Sequence, residues 1–292
     1  MPATRKHVAV VYHSVKDQPW GAMVKQTIER ALVGHPEIFA DHVDPVGDAD
    51  EQVRALEGFL DAGVDALVVL PIDPEKTRRV LRRYRAAGIP VIGVDNDLGE
   101  PALFRALILA DNRQFGRKVG EFFVEIMEGS GEIVEITGVP STSGAVDRSA
   151  GFRDAIARSP GLRVVERCVG DWMHDEARRA FSRVLASRGR VDGVFAQNDE
   201  MARGAWDAAA AAGREHEMLI TGIDAIRGEN GIRMVMQGCL AATFINPSPG
   251  PAAVDALLVT LSGGRCLEKR LLRTSPLRSP GRIRAWQAAR KR

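Results

Sequence analysis

Two aspartates and an asparagine stand where short polar side chains can grip hydroxyl groups. Asp95 closes Gly93-Val94-Asp95 and Asp224 closes Gly222-Ile223-Asp224. Asn198 follows an apolar run in Phe195-Ala196-Gln197-Asn198-Asp199-Glu200-Met201-Ala202. A carboxylate accepts from two hydroxyls at once, and a carboxamide both donates and accepts. Polyhydroxylated molecules need that mixture, because each buried hydroxyl left unpaired costs about 1–3 kcal/mol. Their apolar C–H faces call for flat rings. Aromatics are 5% of the chain, and Trp20 and Trp172 both fall in loops just after predicted strands. Either ring serves equally well as core or rim packing. Arg148, in Val146-Asp147-Arg148-Ser149, offers a fork of donors to a ring oxygen, or pairs at the surface with Asp147 or Asp154.

These residues recur in a pattern. Val64-Asp65 opens an apolar strand, a helix ends in Ala86-Ala87-Gly88, and a second strand ends at Asp95. Val191-Asp192 opens another, a helix ends in Ala211-Ala212-Gly213, and a second strand ends at Asp224. Asp65 to Asp95 is 30 residues and Asp192 to Asp224 is 32. Two similar βαβ units, one per half, each finish on a carboxylate at a strand's carboxyl end. That is where open parallel sheets bind ligands. Helix capping is the plain alternative for Asp, and Asn198 or Asp199 is the natural N-cap of the alanine-rich helix behind it.

The elements that must position these residues alternate strand and helix along the chain. Strands are predicted at His7–Tyr12, Phe39–Val43, Val64–Leu70, Pro90–Val94 and Leu103–Ala110, and again at Glu132–Ile136, Leu162–Val169, Val191–Ala196, Leu219–Ile223 and Ala241–Ile245. Amphipathic or alanine-rich helical segments lie between them, many closed by a glycine such as Gly63, Gly88 or Gly213. The order implies parallel sheets with helices on both faces, in α/β lobes. At 292 residues the chain can bury two cores.

Composition narrows the classes. Hydrophobic residues are 45%, charged residues 27%, and the net charge of +2 gives no field suited to nucleic acid. The basic residues Arg282, Arg284, Arg290, Lys291 and Arg292 read as a solvated tail. The longest apolar runs are strand-sized. Cys168, Cys239 and Cys266 have no metal-site spacing, and any two could bridge in an oxidising compartment. No metal or cofactor is expected. Met1 to His7 shows no secretory signal, which leaves two readings open: a cytosolic protein, or a mature chain whose signal lay upstream.

The motif around Asn198, together with Ala110-Asp111-Asn112, Ser141-Thr142-Ser143 through Arg148 to Gly151-Phe152, Gly222-Ile223-Asp224 and Gly238 through Leu240-Ala241-Ala242-Thr243, resembles the type I periplasmic binding proteins of bacterial sugar ABC importers. The resemblance runs from the first strand to about residue 275. It implies two Rossmann-like lobes, 1–110 plus 247–275 and 111–246 plus 276–292, joined by a three-segment hinge near Ala110, Asn246 and Ser275. A monosaccharide would sit in the interlobe cleft of a monomer in the periplasm, for delivery to a membrane permease. By position, the family's ligand contacts fall on Gln18, Trp20, Asp95, Asn96, Arg148, Trp172, Asn198, Asp224 and Asn246.

The chain departs from the ribose pattern in three places. It has Asp95-Asn96 where ribose binders usually carry Asp-Arg, and Gly21 where they carry a second aromatic. Tyr12 and His13 occupy a place that is usually small and polar, so both join the candidate site. His13 reads equally well as a hydroxyl partner or as an exposed loop histidine. Ala145 to Arg148 and Pro249 to Leu257 look more like the galactofuranose branch, which points to a furanose or hexose. Two rival functions share the features. One is the effector domain of a LacI-type regulator or of a chemosensory system; no helix-turn-helix precedes the first strand. The other is an enzyme using Asp95 and Asp224 as acid and base, against which no GxGxxG, GxxxxGK, GxSxG or HExxH occurs.

Overall fold

Strand residues alternate between two buried faces from the first element onward. In β1 (Lys6–Val11) and the residue after it, Val8, Val10 and Tyr12 enter one apolar cluster while Ala9 and Val11 enter another. A strand buried on both sides reads as a continuous apolar run rather than an alternating one. The computed structural model describes residues 5–226, 230–266 and 268–290.

After β1 come α1 (Pro19–Leu32), β2 (Ile38–Val43), α2 (Ala49–Ala62), β3 (Ala66–Val69), α3 (Pro74–Ala86) and β4 (Val91–Val94). Asp48 and Asp73 cap α2 and α3 by accepting from the first free backbone N–H groups, and Gly63 ends α2 at φ 69°. The strand expected to start at Leu103 starts later. Pro101–Leu103 is a single 3-10 turn, and β5 runs Ala106–Ala110.

The rhythm continues through α4 (Asn112–Ile126), β6 (Ser130–Thr137), α5 (Ser143–Ile156), β7 (Gly161–Val169), α6 (His174–Ser187), β8 (Gly193–Ala196), α7 (Asp199–Ala211), β9 (Leu219–Asp224), α8 (Asn230–Gln237), β10 (Ala242–Ile245) and α9 (Gly250–Leu261). Two short strands absent from the sequence reading follow, β11 (Lys269–Leu272) and β12 (Pro276–Arg278), and then α10 (Pro280–Arg290). The predicted solvated tail is therefore a helix. Arg282 is buried, donating to the carbonyls of Glu215 and Met218, and Arg290 pairs with Asp192. Arg284 is exposed, whereas Lys291 and Arg292 lie outside the described residues.

The chain divides into two compact units, Met1–Ala110 with Ser248–Leu272, and Asp111–Pro247 with Arg273–Arg292. The first holds a sheet ordered β11-β5-β4-β3-β1-β2, the second one ordered β12-β10-β9-β8-β6-β7. All described pairings are parallel except β12 on β10. That edge strand departs from the all-parallel expectation, an addition common on doubly wound sheets. In each unit the strand order reverses beside the first strand, between β1 and β3 and between β6 and β8. The carboxyl ends at such a reversal form a crevice where ligands bind. Buried Gln52 ties the first of these ends together: its amide donates to the carbonyls of Tyr12 and Leu70, both at 2.8 Å, and accepts from Ile72 N–H.

Candidate functional site

Every candidate residue lies at or beyond a strand's carboxyl end or on the helix that follows, and several are held there by strained backbone. Asp95 follows β4 at φ 72°, Asp224 ends β9 at φ 128°, and Trp172 sits at φ 67° between β7 and α6. Their neighbours Asp171 (50°) and Ala225 (50°) are also in the left-handed region. Such residues cost about 1–3 kcal/mol each and persist where the surroundings hold them for a function.

In the first unit, His13 and Asp95 come together: His13 Nε2 stands 3.8 Å from Asp95 Oδ2. Ser14 N–H donates to His13 Nδ1 at 2.6 Å, so Nδ1 is the acceptor and Nε2 carries the hydrogen. Burial holds His13 below the ordinary histidine value, against the opposing pull of Asp95 and Asp44. It is a fixed residue of the strand end, not an exposed loop histidine. Asn96 donates to Pro71 O at 2.9 Å, which anchors the loop after β4. Gln18 stands before α1 without capping it by its side chain. Trp20 lies in the first turn of α1, half-buried against the apolar cluster of its unit.

Tyr12 is a correction. Its ring is wholly buried in the core, stacks on His42 at 5.9 Å, and its hydroxyl is bonded to His42 Nδ1 at 2.8 Å. Burial, with Glu29 nearby, pushes the phenol above its ordinary range. Tyr12 thus shapes the strand end from behind and offers a ligand no polar atom. Gly21 explains a departure noted above. A Cβ there would sit 1.7 Å from Ser14 O and 3.1 Å from His13 Cε1, so no aromatic can stand at this position.

In the second unit, Arg148 is buried at the start of α5, not paired at the surface. Its Nε donates to Asn112 Oδ1 at 2.8 Å, its Nη1 to the carbonyl of Gln197, and its guanidinium lies 5.3 Å from the Trp172 ring centre. Asp154 pairs with Arg113 instead. The Trp172 indole presses on Gly138, where an added Cβ would come within 2.0 Å of the ring. Asn198 both caps α7, accepting from Met201 N–H at 2.8 Å, and donates to Trp172 O at 3.0 Å. Asn246 donates to Asp224 Oδ1 at 3.2 Å, while its own Oδ1 is buried with no donor among the described residues. Arg148, Trp172 and Asn198 therefore form one linked group, and Asp224 and Asn246 another.

Supporting residues escaped the sequence reading. Wholly buried Gln197 donates to Glu135, Ser149 and the Ala145 carbonyl and accepts from Gly138 N–H, locking the loops after β6 and β8. Glu135, a charge set among the apolar residues Ile133, Val134 and Ile136, was the available signal; it meets Arg167 at 2.7 Å. Asp199 lies behind Asp224, accepting from the Thr243 hydroxyl at 2.7 Å and from Ala225 N–H at 2.8 Å. Burial first, and then the neighbouring Asp224, raise its carboxyl well above the usual range. Gly222 and Gly231 make room for it, since a Cβ at either would lie within 2.1 Å of its oxygens. Among the described residues no group of histidine, cysteine and carboxylate side chains could hold a metal, and the three cysteines are free thiols.

The chain is similar to known proteins over most of its length. The model of a family described as a periplasmic binding protein domain matches residues 8–264. A D-apiose import binding protein of Paraburkholderia graminis is 30% identical over 249 residues, which is 83% of this chain and 77% of its own length. A galactofuranose-binding protein of Escherichia coli is 28% identical over 79% of this chain and 75% of its own. Among solved structures, the fructose binding periplasmic domain of a hybrid two component system has a TM-score of 0.89 and 28% identity, covering 98% of this chain and 95% of that one.

Proposed function

The chain belongs to the periplasmic binding protein family, of the type I fold that serves sugar ABC transport systems, and from that premise we propose that it is an extracytoplasmic receptor for one monosaccharide, handed on to an importer's permease. Members of this family are substrate-binding proteins, not enzymes, so Asp95 and Asp224 hold hydroxyls rather than transfer protons. The side chains offered to the sugar are Gln18, Trp20, His13, Asp95 and Asn96 in the first unit, and Arg148, Trp172, Asn198, Asp224 and Asn246 in the second. The protein works as a monomer. Among the described residues no helix is long and apolar enough to cross a membrane.

One observation carries the reading most strongly. Asn246 is 4% exposed and its Oδ1 lacks a donor among the described residues, at the end of β10 beside Asp224. An unpaired buried acceptor costs about 1–3 kcal/mol. A sugar hydroxyl that donates to Asn246 Oδ1, next to the Asp224 carboxylate, relieves that cost. Relatives named for apiose, ribose and galactofuranose make a furanose or a small hexose the first choice.

The test is calorimetry with D-apiose, D-ribose, D-allose, D-fructose, xylitol and a galactofuranoside. One of them should bind, and Asn246→Ala or Asp224→Ala should weaken it by about tenfold to a hundredfold, the loss of one or two buried hydrogen bonds. Absence of heat with all six would refute the receptor reading. The neighbour from a two component system favours a second reading, a sensor domain. Sugar-dependent stimulation of a reconstituted ABC permease decides for import, and its absence with a tight sugar decides for sensing.

A further inference from the structure

His13 and Asp95 stand at a separation that no direct hydrogen bond explains. The 3.8 Å between Nε2 and Oδ2 is beyond hydrogen-bond reach. It is short enough for one oxygen atom to touch both. Each partner is fixed from behind. His13 Nδ1 takes Ser14 N–H, His13 O takes Gly47 N–H at 2.8 Å, and the Gly21 backbone lies against the ring where any side chain would collide. Asp95 is held by its left-handed backbone and by its N–H on Ile108 O at 3.0 Å. The donor and the acceptor are therefore preset, with opposite roles.

We propose that His13 and Asp95 form a single hydroxyl clamp, in which one ligand oxygen accepts from His13 Nε2–H and donates to Asp95 Oδ2, and that His13 thereby makes this hydroxyl obligatory. The proposal rests on the sugar-receptor reading and adds which chemical feature the first unit selects: one hydroxyl that must accept and donate at once. An ether oxygen cannot donate to Asp95, and a C–H position satisfies neither group. A deoxy or O-methyl analogue at that position leaves a desolvated donor and carboxylate unpaired, so discrimination should reach about tenfold to a hundredfold or more.

The clamp works only with a neutral imidazole. Protonation would put a hydrogen on Nδ1 facing Ser14 N–H at 2.6 Å, which turns that bond into a clash. The freed imidazolium would then pair with Asp95 and occupy the carboxylate. Two carboxylates face the ring, Asp95 from the end of β4 and Asp44 from the end of β2. Asp44 is engaged by the N–H groups of Val15, Lys16 and Val46, and among the described residues α1 presents the Gly21 backbone. Burial places the transition below the ordinary histidine value of 6.5. Affinity should be flat above that value and fall as the pH drops below it.

The experiment compares wild type with His13→Gln and His13→Phe. Gln places an Nε2–H donor near the imidazole's but does not titrate; Phe removes the donor. Probes are whichever of the six panel compounds binds, together with its monodeoxy and mono-O-methyl derivatives, measured by calorimetry from about pH 5 to about pH 8. The expected result has three parts. Wild type loses affinity as the pH falls below the ordinary histidine value, and His13→Gln holds its affinity across the range. One monodeoxy derivative is rejected by wild type and by Gln, but no longer distinguished by His13→Phe. Should wild type and His13→Gln share one pH profile, or His13→Phe reject the same derivative as strongly, the clamp is wrong while the receptor stands. Absence of heat with every panel compound removes both.

Discussion

Asp199 shows how a buried residue can set the conformation of one proposed to hold the sugar. It is wholly enclosed, between Thr243 Oγ1 and Ala225 N–H, with Asp224 as its like-charged neighbour. Taking the Ala225 N–H holds the turn at Asp224 and Ala225, both at positive φ. The raised carboxyl has a definite pH consequence. A folded acid whose pKa lies above its unfolded value binds more protons folded than unfolded, so it stabilises at low pH and loses that contribution as pH rises. The window opens at the ordinary value of 3.8 and extends upward to the raised one. Asp199→Asn removes the titration and keeps the shape. Urea denaturation of the variant and of wild type across pH should show the variant gaining relative stability as pH rises from about 4. A constant difference between them would show that Asp199 is ionised alike in both states. From the chain alone, Asp199 is one of two N-cap candidates, because capping and burial draw on the same residue type. Only Gly222 and Gly231, seen in place, reveal that the carboxylate is packed into backbone.

At the scale of elements, the parallel strands were legible because both-face burial writes an unbroken apolar run, as in Ala66–Val69 and Val91–Val94. Helix ends were legible where a cap residue and a glycine bracket them, as Asp48 and Gly63 do. What escaped was structure made by distant partners. β11 (Lys-Arg-Leu-Leu) and β12 (Pro-Leu-Arg) carry no strand pattern and form by pairing with β5 and β10. α10 escaped because its basic residues hide its burial: Arg282 and Trp286 turn inward. Arg282 donates to Met218 O at 2.8 Å, and the Trp286 indole N–H donates to Glu217 O at 3.0 Å. Together they hold the segment that leads into β9, and so the strand that ends at Asp224. Arg282→Ala would leave the Glu215 and Met218 carbonyls without that donor and remove the cation from over Trp206. A loss of about 2–4 kcal/mol in urea unfolding is expected, from two stranded acceptors and lost packing. A variant with wild-type stability would return α10 to the role of a surface tail. The Tyr12 error has a similar origin: a tyrosine at a strand end signals a site or a core equally well until His42 is seen to take its hydroxyl.

At the scale of the whole molecule, the chain has two compact units, each with its own sheet and core clusters, and each bearing half of the proposed contacts. Separate cores allow separate melting, so a single two-state transition is not required of such a chain. That makes the thermal response to sugar a test of whether both halves take part. A ligand bound only to the folded form stabilises what it touches by RT ln(1 + [L]/Kd), about 2.7 kcal/mol at a hundredfold excess over Kd. If the sugar engages residues from both units, calorimetric unfolding at saturating sugar should move the whole profile upward by several degrees and bring its parts closer together, because neither unit can open without releasing the ligand. Asn246→Ala in the second unit and Asp95→Ala in the first should each reduce the shift of both parts. Were the contacts confined to one unit, only that unit's transition would rise, and a substitution in the other would leave the shift intact. Trp20 in the first unit and Trp172 in the second give separate fluorescence reporters when each is kept alone against Phe, so the two halves can be followed in one titration.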